Sequence, residues 1–437
     1  MGHIGGVEQT YHLLQQRLDR NMTGAPDSPA LEKILKILFS PEEGELACRI
    51  PSRPTSLGLL SRKLKIGQGE LGDRLTDMAR RGLVLDLEHG GERYFMLSPV
   101  VIGFFEFTFM RAREDLPMAE LAHLFHEYTD TKEDDRFARS VFQGQTQVGR
   151  SLVQEEALPE GDHTEILDWE RASHVVRSAS ATAVSLCSCR HKASHLGKAC
   201  ESPQQACLTF NYAAEALIRS GIAQPVSTDE AMGILEKCKE TGLAQIGDNV
   251  QRKVTYICNC CSCCCGMAAA IKTFGIRNAI VTSNWICEID LSPCKGCGKC
   301  ARACPVEAIA MAREEEGEKK RQWAVCDQAL CLGCGVCYSA CKQGAIAMKS
   351  RAQRVFTPET VFDRIVSMAI ERGKLAHVLF QDPEKLSHRA VGRIVSALEK
   401  SSPFKAAMAV EPLRSAFLNA MVKGAKRSAG ELAEVLG

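Results

Sequence analysis

The chain has no excess of charge of either sign and no long apolar run. Its 437 residues carry a net charge of +1, which supports neither a basic nucleic-acid-binding surface nor a solvating acidic tail. The most apolar stretch, Val100–Met110, contains Glu106 and is shorter than a membrane-spanning helix, which needs about 20 residues. Residues 1–10 lack the basic region and apolar core of a secretory signal. We therefore expect a cytoplasmic protein with no membrane span, whose partner is not nucleic acid.

Cysteine is scarce over most of the chain and abundant in one part of it. Of the 22 cysteines, only Cys48 lies before residue 181, and none follows Cys341. A secreted disulfide framework is usually short and rich in cysteine throughout. The uneven distribution therefore favours metal or cluster ligation in a reducing compartment over a set of disulfides.

Two runs of four cysteines repeat the same spacing. Both follow the pattern C-x2-C-x2-C-x3-C and both continue into Ala-Ile-Ala-Met at the same distance, so they form an internal repeat. The first run is Cys294, Cys297, Cys300 and Cys304, and the second is Cys331, Cys334, Cys337 and Cys341. Zinc sites typically use pairs of cysteines separated by a spacer. A [4Fe-4S] cube instead needs one thiolate at each of its four irons, and a loop with cysteines three apart can supply three of them, so the repeat indicates iron–sulfur clusters.

This repeat resembles the two-cluster domain of bacterial ferredoxins, over residues 283–350. The resemblance implies that the fourth cysteine of each run binds the cluster of the other run. One cluster would be bound by Cys294, Cys297, Cys300 and Cys341, and the other by Cys331, Cys334, Cys337 and Cys304. Pro305 follows Cys304 as in the bacterial pattern, whereas Lys342 replaces the proline expected after Cys341. That departure affects the potential of one cluster rather than its presence.

Four cysteines upstream of the repeat form a further group, with two histidines nearby. The cysteines are Cys187, Cys189, Cys200 and Cys207, and His191 and His195 would share one face of a helix. We interpret the group as ligands of a third iron–sulfur cluster. A mixed Cys/His zinc site and unliganded buried thiols are the alternatives.

A second dense group lies just ahead of the repeat and consists of Cys258, Cys260, Cys261, Cys263, Cys264 and Cys265. Close thiols oxidise or capture metal, so this stretch also predicts cluster ligands. In an extended chain Cys258 and Cys260 would point one way, and Cys261, Cys263 and Cys265 would point the other way. One side would then serve a cluster, and the other a partner's cofactor or a redox disulfide. Cys264-Cys265-Gly266 also resembles the Cys-Cys-Gly signature of heterodisulfide reductase catalytic subunits, although it occurs once.

The whole sequence predicts a multi-domain α+β protein. After an N-terminal segment at 1–28, residues 29–114 have the helix–turn–helix–hairpin order of a winged helix and resemble that fold. Residues 115–282 are expected to be helical and then cysteine-rich. The ferredoxin domain at 283–350 precedes a helical region at 351–437, with helices near 387–400 and 412–423. The other cysteines are expected to be core residues, with Cys287 near enough to the repeat to be a spare ligand; they are Cys48, Cys238, Cys287 and Cys326.

Most of the chain resembles a group of long ferredoxin-like proteins of anaerobic bacteria, a resemblance that brings no reaction with it. We expect an electron-transfer protein with two [4Fe-4S] clusters and one or two further clusters or zinc. It would act as a relay subunit or partner of a larger oxidoreductase rather than as a separate enzyme. The alternatives are a redox-responsive winged-helix regulator and an iron–sulfur reductase with its active site at Cys258–Cys265. The candidate recognition helix at residues 70–81 mixes acidic and basic side chains, which disfavours DNA.

Overall fold

The computed structural model describes residues 2–158, 168–316 and 319–379. Two 3-10 helices, Glu155–Ala157 and Asp168–Glu170, accompany the regular elements. The α-helices are α1 (Gly2–Asp19), α2 (Pro29–Leu38), α3 (Pro41–Arg49), α4 (Leu57–Leu64), α5 (Gln68–Arg80), α6 (Phe105–Phe109), α7 (Met118–Thr129), α8 (Arg136–Phe142), α9 (Ala172–Ser178), α10 (Ser188–His195), α11 (Asn211–Arg219), α12 (Thr228–Glu240), α13 (Gly266–Phe274), α14 (Lys299–Ala303), α15 (Val336–Ala340), α16 (Val361–Glu371) and α17 (Leu375–Leu379). The β-strands are β1 (Thr55–Ser56), β2 (Val84–His89), β3 (Glu92–Leu97), β4 (Gly149–Ser151), β5 (Thr182–Leu186), β6 (Gln205–Phe210), β7 (Gln224–Pro225), β8 (Ala244–Asp248), β9 (Tyr256–Cys260), β10 (Trp285–Ile289), β11 (Ile309–Glu316), β12 (Lys319–Cys326) and β13 (Ile346–Ser350).

Helices and several small sheets occur together, which agrees with the predicted α+β class. The chain divides into two compact units. The first contains the residues up to 146, residues 212–224 and the described residues after 357, and the second contains residues 147–211 and 225–357. Within the described ranges, no helix is long and apolar enough to cross a membrane.

The region after residue 114 departs in part from the helical expectation. Helices α7 and α8 are present, but the chain then forms β4, which pairs antiparallel with β8. The partner strand is distant in sequence, so the local pattern of apolar residues does not reveal it. The domain boundaries stay predictions, and the helices expected near 387–400 and 412–423 lie outside the described residues.

Apolar helix faces and a small sheet form the first unit. Helix α2 buries residues at helical spacing, and these are Leu31, Ile34, Leu35 and Leu38. At the start of α3, Ser40 and Glu43 form a capping box, in which each side chain accepts a hydrogen bond from the other residue's backbone. The sheet has the strand order β1-β3-β2, and β2 and β3 form the predicted hairpin.

Five strands of a six-stranded sheet, in the antiparallel order β4-β8-β9-β6-β5, lie at the centre of the second unit. Fully buried side chains on three of its strands, Leu208, Ile246 and Ile257, contribute to the core. Strands β5 and β9 are both antiparallel to β6, so both end at the sheet edge where β6 begins. Helix α10 follows β5 and helix α13 follows β9, so the topology brings the cysteines before β6, after β5 and after β9 to one edge.

The cysteine repeat is also a repeat of structure. Helices α14 and α15 each begin after a glycine with left-handed backbone, Gly298 and Gly335, a conformation that glycine adopts without steric cost. Strands β11 and β12 form a hairpin between the two halves, and β10 pairs antiparallel with β13. The first and last strands of the repeat therefore lie side by side and hold its two halves together.

A pair of glycine substitutions tests this packing. Gly333 has φ +67°, and a Cβ there would overlap the carbonyl oxygen of Trp285 and Oγ of Ser283, whereas Gly344 has φ +64° and open space. Both Gly→Ala variants share a left-handed backbone strain of about 1–2 kcal/mol. We expect Gly333→Ala to lower the free energy of unfolding by about 2 kcal/mol more than Gly344→Ala, because only Gly333→Ala also overpacks. Urea unfolding of anaerobically purified protein measures this, and equal losses would contradict the packing.

Candidate cluster and metal sites

Cysteines from both halves of the repeat line a cavity, which we call cavity I. Its cysteines are Cys294, Cys297, Cys300 and Cys341. The first three lie in the loop before α14 and in its first turn, where their spacing alone keeps them together. The fourth is the residue that follows α15, so that helix brings it across from the second half.

Cavity II has the same arrangement with the halves exchanged. It is lined by Cys331, Cys334, Cys337 and Cys304. Cys304 is the residue that follows α14, and its Sγ accepts a hydrogen bond from the Ala308 amide at 3.2 Å. The two cavities thus collect the two sets of four cysteines that the ferredoxin resemblance implies. Four thiols around each space fit the thiolate donors that a [4Fe-4S] cluster requires.

The two cavities differ in their access to solvent. All four cysteines of cavity II are buried, whereas Cys297 of cavity I is exposed. Basic side chains also line or flank cavity I at the surface, and these are Lys295, Lys299, Arg302 and Lys342. Cavity I is therefore the one that a second molecule can approach, and these basic side chains lie around its opening.

Cysteines that the sequence assigned to the core lie against cavity II. Cys287 lines the cavity, and its pKa is raised because its thiol hydrogen-bonds to Cys326 and Cys337. The pKa of Cys326 is lowered to about 4, because its sulfur accepts hydrogen bonds from Cys287 and Cys331. Nearby, Nη2 of Arg351 donates to the carbonyl of Cys331 at 2.8 Å. The position of Cys287, close to the repeat in sequence, could have indicated that it lies near the cavity. Cys326 gave no such indication, because it reaches this position only through the β11–β12 hairpin.

Thiols from both upstream groups form a continuous series of contacts in the second unit, which we call the six-thiol row. In order of contact they are Cys187, Cys189, Cys265, Cys260, Cys258 and Cys207. Cys207 and Cys258 lie directly opposite each other on β6 and β9. Cys187 and Cys265 are the residues that precede α10 and α13.

Two thiols of the six-thiol row favour the thiolate form that binds metals. The pKa of Cys189 is lowered because its sulfur accepts hydrogen bonds from the thiols of Cys187 and Cys265 and from the Gly266 amide. The pKa of Cys258 is lowered by hydrogen bonds from Cys207 and Cys260. The row therefore contains two accepting sulfurs, those of Cys189 and Cys258, and each lies between two thiols that donate to it.

The remaining upstream cysteines form a second, tighter cluster, which we call the four-thiol group. Its members are Cys200, Cys261, Cys263 and Cys264, and their sulfurs all lie within 4.8 Å of one another. The Sγ atoms of Cys263 and Cys264 are 3.6 Å apart, and those of Cys264 and Cys200 are 3.9 Å apart. Over the described parts of the chain, it is the one set of three or more Cys, His, Asp or Glu ligand atoms at this spacing.

A buried arginine lies between the six-thiol row and the four-thiol group. Arg190 is fully buried and donates hydrogen bonds of 3.0 Å to the carbonyls of Pro203 and Asn259. Its positive charge interacts with Cys187 of the row and with Cys261 of the group. The pKa of Cys261 is lowered to about 4, first by a hydrogen bond from the Cys264 thiol and then by the Cys264 amide and Arg190.

This grouping corrects the one expected from sequence. Cys200 separates from its sequence neighbours and joins the four-thiol group, and Cys265 faces the row rather than the side of Cys261 and Cys263. The reason is that β9 ends at Cys260 and a turn follows, so the alternation of an extended chain stops there. His191 and His195 stand together on α10, with Nε2 atoms 3.3 Å apart, and neither belongs to the four-thiol group.

Comparison with known proteins supports the iron–sulfur assignment of the repeat. Residues 293–363 match the family model of the 4Fe-4S dicluster domain. A stretch of 28 residues is 64% identical to pyruvate synthase subunit PorD of Methanothermobacter marburgensis, and it covers 6% of this chain and 35% of that protein. The chain thus matches about a third of that relative's length. No solved structure matches the chain. Together with the cavities, these matches show that the chain carries a ferredoxin-type iron–sulfur segment.

Double variants test which cysteines share a cluster. We expect Cys297→Ala and Cys341→Ala each to lower the iron content by about four per chain, and their combination to lose no more, because both line cavity I. Cys297→Ala with Cys304→Ala should lose about eight, because the two residues line different cavities. Cys48→Ala, in the first unit, should leave the iron unchanged. Iron and sulfide analysis of anaerobically purified protein decides this, and additive losses for Cys297 and Cys341 would contradict the shared cavity.

Proposed function

We propose that this protein is an iron–sulfur electron-transfer protein whose repeat binds two [4Fe-4S] clusters, one in each cavity. The observation that carries the proposal is the exchange of the fourth cysteine between the two halves, because it gives each cavity four thiols. A [4Fe-4S] cluster accepts and releases one electron at a time. The chain's own residues hold each cluster, set its exposure to water and thereby influence its potential.

The difference between the cavities indicates where the relay exchanges electrons with a partner. The buried cysteines and the apolar neighbours of cavity II keep water away from its cluster. Cavity I is open at Cys297 and surrounded by exposed basic residues. We infer that electrons enter or leave at cavity I, through a redox protein or an oxidoreductase subunit whose docking face is acidic. The similarity to a protein named as a pyruvate synthase subunit supports an oxidoreductase as that partner.

The six-thiol row extends the proposed relay. We propose that four of its six thiols bind a third cluster, because both α10 and α13 begin there and Arg190 supplies compensating charge. A reducing compartment such as the cytoplasm fits a chain in which all 22 cysteines are free.

With a third cluster, the wild-type protein should contain about twelve irons per chain, and Cys189→Ala or Cys258→Ala should remove about four of them. A wild-type content of about eight would refute the third cluster.

We propose that the winged-helix-like region is a protein-docking module. Helices α4 and α5 followed by the β2–β3 hairpin support the winged-helix-like order. However, two of the basic residues of and beside α5 are paired with acids: Arg74 with Glu70 at 3.7 Å, and Arg81 with Asp77 at 3.3 Å. DNA binding depends on basic residues that neutralise phosphates, so the pairing favours a protein partner over the regulator alternative. Binding to random duplex DNA that weakens with added salt would favour the regulator instead.

The arrangement of the cysteines at Cys258–Cys265 argues against an iron–sulfur reductase with its active site there. Cys264 and Cys265 belong to different sets of thiols, so the Cys-Cys-Gly segment does not form one site. The sequence contains one match to the dinucleotide-binding pattern G-x-G-x-x-G, at Gly67-Gln-Gly69-Glu-Leu-Gly72. This segment follows α4 and begins α5. A dinucleotide site places this pattern between a strand and a helix, so the segment carries no nucleotide-binding argument.

Electrode voltammetry tests the proposed exchange of electrons at cavity I without a known partner. We expect reversible one-electron signals on a carboxylate-coated electrode, because the basic surroundings of cavity I orient the protein there. Lys295→Glu with Lys299→Glu should slow this electron transfer by about tenfold or more, as expected for loss of electrostatic steering. The control, Lys33→Glu with Lys237→Glu, changes the net charge equally at exposed helix positions that line neither cavity. Equal slowing in both double variants would contradict cavity I as the exchange point.

A further inference from the structure

We propose that the four-thiol group is a structural zinc site, in which Cys200, Cys261, Cys263 and Cys264 bind a single ion. This inference is independent of the proposed electron transfer, because it uses none of the cysteines of the two cavities or the six-thiol row. It combines one cysteine from the loop before β6 with three from the turn between β9 and α13. No sequence motif joins these residues, and only the fold brings them together.

The distances between the sulfurs fit one ion rather than a cluster. A tetrahedral zinc ion with Zn–S bonds of about 2.3 Å holds its sulfurs about 3.8 Å apart. Two of the separations in the group are 3.6 and 3.9 Å, and none exceeds 4.8 Å. A [4Fe-4S] cube places its thiolates on four different irons around a core of its own, so it needs more space between them. The four-thiol group has too little room for that core.

The surroundings of the group fit a closed structural site. Nζ of Lys272 on α13 donates hydrogen bonds to the carbonyl and Oγ of Ser262, at 2.7 and 2.9 Å, which fixes the turn that carries three ligands. Arg190 lies beside Cys261. Arg190 offsets part of the negative charge of four thiolates around a doubly charged ion, whereas Lys272 also pairs with Glu307 at 3.4 Å. Below the group, apolar packing joins Ala206, Cys238 and Leu243 to Cys261.

Zinc is the ion that this donor set favours. Four thiolates in a tetrahedron are typical of zinc and of iron–sulfur sites, and the spacing disfavours a cluster. For one set of ligands, zinc binds more tightly than ferrous iron in the general order of divalent metals. Binding would displace the thiol protons and tie the loop before β6 to the start of α13. The expected role is therefore to hold the edge of the sheet at which the six-thiol row lies.

Metal analysis of three single variants of the full-length chain tests the proposal. We expect one zinc per chain in the wild type, and loss of that zinc without loss of iron or sulfide in Cys263→Ser and Cys200→Ser. Cys263 is exposed, so its substitution leaves the packed interior intact even if Cys200→Ser fails to fold. Cys238→Ala is the matched control, because Cys238 packs against the group without belonging to it, and it should retain the zinc.

Two further readouts separate a structural zinc from other occupants. Cobalt exchanged into the site should give the visible absorption of tetrahedral cobalt–thiolate in the wild type and in Cys238→Ala, but not in Cys263→Ser. Hydrogen exchange in residues 200–206 and 261–266 should become faster by tenfold or more when zinc is lost. The proposal is overturned if the wild type holds no zinc, if Cys263→Ser loses about four irons with their sulfide, or if the group holds a single iron without sulfide.

Discussion

A cubane cluster needs four thiolates at four corners, and a short loop can place only three of them. This constraint governs the second unit of the protein. Each cysteine loop supplies three sulfurs to its own cavity, and a five-residue helix carries the fourth to the other cavity. Neither half is then complete without the other. The pairing of β10 with β13 joins the two ends of this segment and so brings its two halves together.

The same principle applies at the sheet edge, where thiols distant in sequence meet through topology. Because β5 and β9 run in the same direction on either side of β6, three cysteine-bearing segments converge. A turn after β9 then divides them into the six-thiol row and the four-thiol group. Arg190 between them offsets negative charge on both sides. The four-thiol group has the spacing for a single ion, whereas the six-thiol row is a longer series of thiols.

The sequence predicted the repeat well because its information is local. Cysteine spacing, the glycines before α14 and α15 and the hairpin between the halves can all be read within a few residues. The helix of α2, the capping box of α3 and the β2–β3 hairpin were predictable for the same reason. The upstream cysteines were grouped wrongly, because their neighbours depend on strand pairing and on where β9 ends. Nothing local indicates that Cys200 meets Cys263, that Cys207 faces Cys258, or that Cys326 lies against Cys287.

We propose that the two halves of the repeat together hold two complete [4Fe-4S] clusters. Native mass spectrometry of the intact, anaerobically purified chain tests it most directly, because it counts iron and sulfide in single molecules. We predict a mass that includes at least two units of four irons and four sulfides, which together contribute about eight irons. A fully loaded chain with fewer than eight irons, or with iron that is not accompanied by sulfide, would contradict it.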